Sequence, residues 1–121
     1  MTAIVLVSHS EDIAQGTKSL LAQMAQNVTV FAQGGTNGEI GTSFDDIQQT
    51  LTSLEEDAIC FYDIGSAEMN LDMALDMYDG EYRVEKATAP IVEGSFTAAV
   101  KLSVGSSIDE TLEELKNNFT K

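Results

Sequence analysis

The feature that most constrains the fold is a short apolar run near the start of the chain. Residues 3–7 read Ala-Ile-Val-Leu-Val, a continuous and largely β-branched run that is typical of a strand covered on both faces. Ser8, His9 and Ser10 follow, and apolar residues then recur every three or four positions, as they do on one face of a helix. The segment therefore predicts a buried strand, a short turn and a helix.

This alternation continues along the chain. Further strands are predicted at about residues 28–32, 57–64 and 82–86, each followed by a helical pattern, of which the last breaks near Gly105 and resumes over residues 107–118. The order βαβαβαβα is typical of a parallel sheet with helices on both faces. We expect a single α/β domain over residues 1–121: a three-layer sandwich with a mostly parallel sheet of about four strands in the order 2-1-3-4.

The charge of the chain excludes several classes of function. The 121 residues include 6 Lys and Arg against 20 Asp and Glu, a formal net charge of −14. So few cations cannot form the basic patch of a nucleic-acid-binding protein, and an anionic membrane would repel the chain. No segment approaches membrane-spanning length, so we expect a cytoplasmic protein. Solubility and the steering of a partner with a basic face both remain open as reasons for the charge.

Metal binding is not expected. The sequence has one histidine, His9, and one cysteine, Cys60, too far apart for a zinc motif. Because Cys60 lies within an apolar run, it is predicted to be a buried, inert thiol. We expect no metal and no permanently bound cofactor.

Polar segments follow each predicted strand. They are residues 8–10, the glycine-rich stretch 34–43, residues 63–66 and residues 89–94. In an open parallel sheet, ligands bind beyond the carboxyl ends of the strands. The four segments are therefore expected to converge on one edge of the sheet.

His9 and Asp63 are the candidate catalytic pair at that edge. A neutral imidazole just before a helix N-terminus could accept a phosphoryl group, because backbone N–H groups would stabilise the anion that forms. A carboxylate on one ring nitrogen would fix the tautomer and aim the other nitrogen. Asp63 is equally interpretable as a helix cap. A hydrolytic triad of Ser66, His9 and Asp63 is conceivable, although the Gly-x-Ser-x-Gly motif is absent.

The glycine-rich stretch gives a weaker signal. Its glycines do not match a P-loop or a dinucleotide fingerprint, and it is interpretable either as a flexible turn or as part of a phosphoryl cradle. The candidate residues for binding the phosphoryl group or a partner are Ser8, Ser10, Gly35, Thr36, Gly65 and Ser66.

The segments just described resemble a known family. Residues 4–16, 34–43, 63–70 and 89–94, in this order, are similar to the phosphotransferase (M) subunit of PTS-dependent dihydroxyacetone kinase, which is itself similar to enzyme IIA of the mannose family. The resemblance extends through nearly the whole chain.

The resemblance implies a pathway for the phosphoryl group. His9 would accept it on Nε2 from the phosphocarrier protein HPr and pass it to ADP held by the L subunit. The regenerated ATP would then phosphorylate dihydroxyacetone on the K subunit. The resemblance also implies a homodimer, which suits the methionine-rich helix that includes Met69, Met73 and Met77.

Two alternatives remain open at this point. A sugar-uptake IIA domain of the mannose family would share the phosphohistidine but serve a membrane permease. A receiver-like domain phosphorylated on Asp63 would need paired acidic residues after the first strand, where this chain has Ser8-His9-Ser10.

Overall fold

A computed structural model of the chain describes residues 2–119 as a parallel sheet with helices on both faces. The elements are β1 (Thr2–Ser8), α1 (Glu11–Met24), β2 (Val30–Gly34), α2 (Phe44–Thr52), β3 (Asp57–Tyr62), α3 (Gly65–Met77), β4 (Val84–Lys86), α4 (Ile91–Ser103) and α5 (Ile108–Phe119). The strands pair in the order β2-β1-β3-β4 and all pairings are parallel. The predicted sandwich and strand order are confirmed.

Strand β1 lies at the centre of the sheet and explains the opening apolar run. Every residue from Thr2 to Ser8 is buried, because β2 and β3 flank the strand and helices cover both faces. Ile4 and Leu6 point into the core layer shared with α1, α4 and α5, whereas Val5 and Val7 point into the layer shared with α2 and α3. A strand enclosed in this way requires apolar side chains at successive positions.

Two strands start later than predicted, β2 also ends later, at Gly34, and β3 ends earlier, at Tyr62. Strand β2 starts at Val30 rather than near Val28, because Val28 closes the turn after α1 by donating its N–H to the Ala25 carbonyl, 3.1 Å away. Strand β4 starts at Val84, although Tyr82 packs against the core. An apolar sequence pattern indicates which residues are buried, not which residues pair in the sheet. Val28 and Tyr82 are buried or partly buried outside the paired strands, so the pattern is longer than the strands themselves.

The helices are short. The longest, α1, has 14 residues, and no helix within residues 2–119 has both the length and the apolar character needed to cross a bilayer. Cys60 on β3 is fully buried, and this burial raises the pKa of its thiol to about 12. The thiol is therefore protonated and unreactive at neutral pH, as the sequence predicts.

Candidate functional site

Two hydrogen bonds to its backbone hold His9 at the carboxyl end of β1. Its N–H donates to Oδ2 of Asp63 at 3.0 Å, and its carbonyl accepts from the Gly41 N–H at 2.8 Å. The first bond comes from the turn after β3 and the second from the loop after β2. The side chain is 14% exposed, so the ring is fixed in place yet open to solvent on one side.

The His9 ring has two different neighbours. Nδ1 lies 3.0 Å from Oδ1 of Asp63, and Nε2 is within hydrogen-bond reach of the Ser66 hydroxyl. An ionised carboxylate can only accept, so Nδ1 carries the proton and Nε2 presents its lone pair. Nε2 is therefore the nucleophilic nitrogen of the neutral ring.

Asp63 receives more hydrogen bonds than a helix cap would need. Besides His9, its carboxylate accepts from the Ser8 hydroxyl at 2.8 Å and from the Ile64 N–H at 2.8 Å. Partial burial alone would raise the pKa of Asp63, but the hydrogen bonds from the His9 ring, the His9 amide, Ser8 and Ile64 outweigh it and hold the pKa below its usual range. The carboxylate is therefore ionised at neutral pH.

Helix α3 brings its N-terminus to the solvent-facing side of the ring. Its N-cap residue is Ile64, with no side-chain cap. The amides of Ala67 and Glu68 donate to the Ile64 carbonyl, whereas a helix offers no internal acceptor for the amides of its first residues, here Gly65 and Ser66. These two N–H groups and the Ser66 hydroxyl form a potential anion site beside Nε2.

Ser8 and Ser10 occupy different environments. Ser10 is the N-cap of α1, and its hydroxyl accepts from the Ile13 N–H at 3.2 Å. Ser8 is fully buried, donates to Asp63 and accepts from the Ser10 N–H at 3.0 Å. The buried hydroxyl of Ser8 is thus directed to the carboxylate and not to solvent.

The glycine loop contributes mainly backbone contacts. The Gly35 N–H donates to the Ser8 carbonyl at 3.3 Å, and Thr36 and Glu39 exchange two backbone hydrogen bonds of 2.9 Å. Gly35 has a φ of +73°, and a Cβ on it would lie 2.9 Å from the Glu39 carbonyl oxygen. The amides of Gly35 and Thr36 are therefore already engaged in the turn.

Several supporting residues, among them Gly41, Asn70 and Lys86, were not predicted from the sequence. Lys86, at the end of β4, forms ion pairs with Glu68 at 2.6 Å and Asp72 at 2.9 Å on α3. Glu68 and Asp72 are four residues apart and so share one face of α3, and Lys86 ends a strand at the same edge of the sheet. This spacing could have predicted the two ion pairs from the sequence. The ion pairs fix the first turns of α3, which carry Ser66.

The glycine loop is also tied to α3. The Asn70 side-chain amide donates to the Thr42 hydroxyl at 2.6 Å, which connects the two segments on either side of His9. Across residues 2–119, no cluster of three or more His, Cys, Asp or Glu side chains is arranged to hold a metal ion. What the site offers chemically is one oriented imidazole nitrogen beside helix N–H groups.

Comparison with known proteins identifies the family. Residues 3–112 match the EIIA-man family, which is described as the PTS system fructose IIA component. The phosphotransferase subunit DhaM of PTS-dependent dihydroxyacetone kinase from Lactococcus lactis is 42% identical, with 93% of this chain and 92% of that protein covered. The phosphoryl donor subunit DhaM of PEP-dependent dihydroxyacetone kinase 2 from Listeria innocua is 40% identical, with 97% and 98% covered.

Solved structures share the fold. The crystal structure of the unknown-function protein EF1359 superposes with a TM-score of 0.86 at 31% identity, covering 99% of this chain and 96% of that one. A phosphotransferase system component EIIA from Streptococcus agalactiae gives a TM-score of 0.61 at 18% identity, with 97% and 91% covered. The chain therefore belongs to the EIIA-man family of PTS components, and within it to the phosphotransferase subunits of PTS-dependent dihydroxyacetone kinase.

Proposed function

We propose that the chain carries a phosphoryl group on Nε2 of His9, which it accepts from phospho-HPr and passes to ADP held by the L subunit of dihydroxyacetone kinase. The regenerated ATP then serves the K subunit. The observation that carries this proposal is the hydrogen bond between His9 Nδ1 and Asp63 Oδ1, because it puts the proton on Nδ1 and the lone pair on Nε2, the nitrogen that would attack phosphorus.

The surroundings of Nε2 suit a phosphoryl group. A phosphoryl group on this nitrogen would lie at the N-terminus of α3, beside the amides of Gly65 and Ser66 and the Ser66 hydroxyl. Helix N-termini stabilise phosphate through their N–H groups and dipole. Asp63 would stabilise the positive charge that the ring acquires as the bond to phosphorus forms. The group is transient, so the cycle requires no permanently bound cofactor.

The predicted residues Ser8, Ser10, Gly35 and Thr36 shape the site in this proposal without contacting the phosphoryl group. Ser8 orients the carboxylate, Ser10 starts α1, and Gly35 and Thr36 shape the turn beside the Ser8 carbonyl. The phosphoryl oxygens would be bound mainly by α3.

The surface beside His9 suits a partner with basic groups. Ser10, Glu11, Asp12, Glu39 and the exposed Ile40 line a shallow recess next to the site. Carboxylates around an apolar side chain attract a docking face that is basic and partly apolar. We infer that HPr approaches here and that added salt slows the transfer.

One reaction tests the proposal. The chain is mixed with phosphoenolpyruvate, enzyme I and HPr, and its intact mass is measured. We expect one phosphoryl group, labile in acid and stable in base, and complete loss of labelling in His9→Ala. A matched control is Asn27→Ala. Asn27 precedes β2 and so lies near the amino ends of the strands, away from His9, and this variant should retain labelling. Labelling of folded His9→Ala would refute the proposal.

A second reaction separates this role from sugar uptake. The phosphorylated chain is added to the L subunit with bound ADP, and ATP formation is measured. The proposal expects rapid loss of the phosphoryl group and stoichiometric ATP. Labelling of His9 without transfer to the L subunit would favour a IIA domain that serves a permease. Magnesium-dependent labelling of Asp63 would favour a receiver-like domain instead.

We also infer a homodimer formed through α3. Met69, Met73 and Met77 are spaced four residues apart on one face of the helix, and each is more than half exposed. A second copy would cover this apolar stripe, although two chains of charge −14 repel each other. Added salt should therefore strengthen the dimer in sedimentation equilibrium, and Met73→Glu should give monomers. A monomer at all salt concentrations would contradict this inference.

A further inference from the structure

The site contains a second potential nucleophile, the hydroxyl of Ser66. Asp63 Oδ1 lies 3.0 Å from His9 Nδ1, and His9 Nε2 contacts the Ser66 hydroxyl. Carboxylate, imidazole and hydroxyl in this order form the arrangement by which a general base activates a serine. We propose that, in the unphosphorylated chain, Ser66 attacks small activated aryl esters and phosphonyl fluorides, with His9 as the base.

Oxyanion donors are available at the same place. The hydrogen bonds within residues 2–119 engage the amides of Ala67 and Glu68 but not those of Gly65 and Ser66. In acyl transfer, the amide of the nucleophilic serine itself is a common donor to the oxyanion. The start of α3 therefore offers both the nucleophile and the N–H groups that would stabilise the negative charge of the tetrahedral intermediate.

The reaction balances without any added reactant except water. The Ser66 oxygen bonds to the ester carbonyl carbon while its proton passes to His9 Nε2. The intermediate collapses, the aryl oxide leaves, and the proton on Nε2 passes to it to give the phenol. Water then attacks the acyl carbon while His9 Nε2 takes its proton, the bond to the Ser66 oxygen breaks, and the proton passes from Nε2 to that oxygen, which releases the acid and restores Ser66. With a phosphonyl fluoride, the oxygen bonds to phosphorus and fluoride leaves with the proton, which gives a stable adduct.

The surroundings indicate the class of substrate. Ser66 is exposed, and the exposed Ile64 lies two residues before it in sequence. An apolar side chain next to an open hydroxyl favours a small aromatic leaving group rather than a large substrate that needs an enclosing pocket. This activity does not rest on the phosphotransfer proposal, because it needs no phosphoryl donor.

The test uses the full unphosphorylated chain and two reagents. p-Nitrophenyl acetate reports turnover, and a fluorophosphonate reports the nucleophile by intact mass and peptide mapping. We expect one fluorophosphonate adduct on Ser66, none in Ser66→Ala, and undiminished labelling in Ser19→Ala, which changes an exposed serine of α1. Asp63→Asn should slow the labelling by roughly 100-fold or more, because the amide does not hold the reactive tautomer.

Several outcomes would overturn the proposal. They are an adduct on His9 instead of Ser66, equal labelling of Ser66→Ala and the unsubstituted chain, or no adduct at reagent concentrations that label a known serine hydrolase. His9→Ala provides a second variant that keeps Ser66 in place. Labelling of Ser66 at an unchanged rate in folded His9→Ala would show a hydroxyl that is reactive without the imidazole, which also refutes the proposal.

Discussion

The two loops that flank His9 hold it by different means. The turn after β3, residues 63–66, reaches the imidazole ring with side chains, through Asp63 on Nδ1 and Ser66 on Nε2. The glycine loop after β2, residues 34–43, reaches only the main chain, through the Gly41 N–H on the His9 carbonyl and the Gly35 N–H on the Ser8 carbonyl. Only the turn after β3 thus acts on the chemistry of the ring, whereas the glycine loop acts on the backbone alone, which Asp63 also holds through the His9 N–H.

The glycines of the two loops reflect this division. A Cβ on Gly34 would lie 2.9 Å from both Ala14 Cβ and Glu11 Cα and would overlap the Ser10 carbonyl oxygen. A Cβ on Gly65 would meet no atom within 4 Å. Glycine is therefore required in the first loop by close packing of β2 on α1, whereas in the second loop the side-chain position is open. Substitutions should consequently damage stability in one loop and chemistry in the other.

The largest effect is expected at Asp63. Asp63→Asn keeps the size of the side chain, but an amide can donate to Nδ1 and so favour the wrong tautomer. We expect phosphorylation by phospho-HPr to slow by about 100-fold or more, measured as the rate of mass increase of the chain. The matched variant is Asp79→Asn, an exposed carboxylate just beyond the C-terminus of α3, which should change the rate by less than about threefold, the scale of a single surface charge. Equal slowing in both variants would show that Asp63 acts only through charge.

The next effect is on stability, at Gly34. Gly34→Ala should lower the free energy of unfolding by about 1–3 kcal/mol, the usual cost of overpacking, because the new methyl group would push β2 away from the start of α1. Urea denaturation measures the loss. Gly16→Ala, inside α1 with no atom within 4 Å of the added Cβ, should instead stabilise the chain by about 0.5–1 kcal/mol. A tolerated Gly34→Ala would contradict the division between the loops.

The sequence predicted where both loops lie but not which of them contacts the His9 ring. The buried run of β1 and the alternation of patterns predicted a parallel sheet in which β1 is enclosed, as the structure has it. His9, Asp63 and Ser66 were predicted as neighbours because strand ends converge at one edge. The partners of individual hydroxyls and amides were not predictable, since they depend on turn geometry: Ser8 and Ser10 are the same residue type two positions apart, yet one binds Asp63 and the other caps α1.

A smaller effect on the rate of phosphorylation is expected when one backbone N–H of α3 is removed. Gly65 is the first residue of the helix, where proline is favoured, and the preceding Ile64 is extended with φ −136° and ψ 171°, as a residue before proline should be. Gly65→Pro should therefore preserve the fold. The lost N–H should slow phosphorylation about tenfold relative to Gly65→Ala, the value of one hydrogen bond to a charged group. Equal rates in the two variants would exclude this amide from phosphoryl binding.

The smallest effect is expected at Ser8, which supports the ring only through Asp63. Ser8→Ala removes one donor from the carboxylate and should lower the free energy of unfolding at pH 7 by about 1 kcal/mol. The folded-state pKa of Asp63 lies below its usual range, so its hydrogen bonds stabilise the fold above the unfolded pKa of about 3.9 and are lost as the pH falls through the folded value. In Ser8→Ala this pKa should move up towards 3.9, which carbon NMR of the carboxyl group measures.

The control variant is Ser10→Ala, which removes the α1 cap instead. It should lower the free energy of unfolding by about 1 kcal/mol and leave the pKa of Asp63 unchanged. A shift of that pKa in Ser10→Ala but not in Ser8→Ala would reverse the assignment of the two hydroxyls, and with it the inference that Ser8 supports the ring through Asp63.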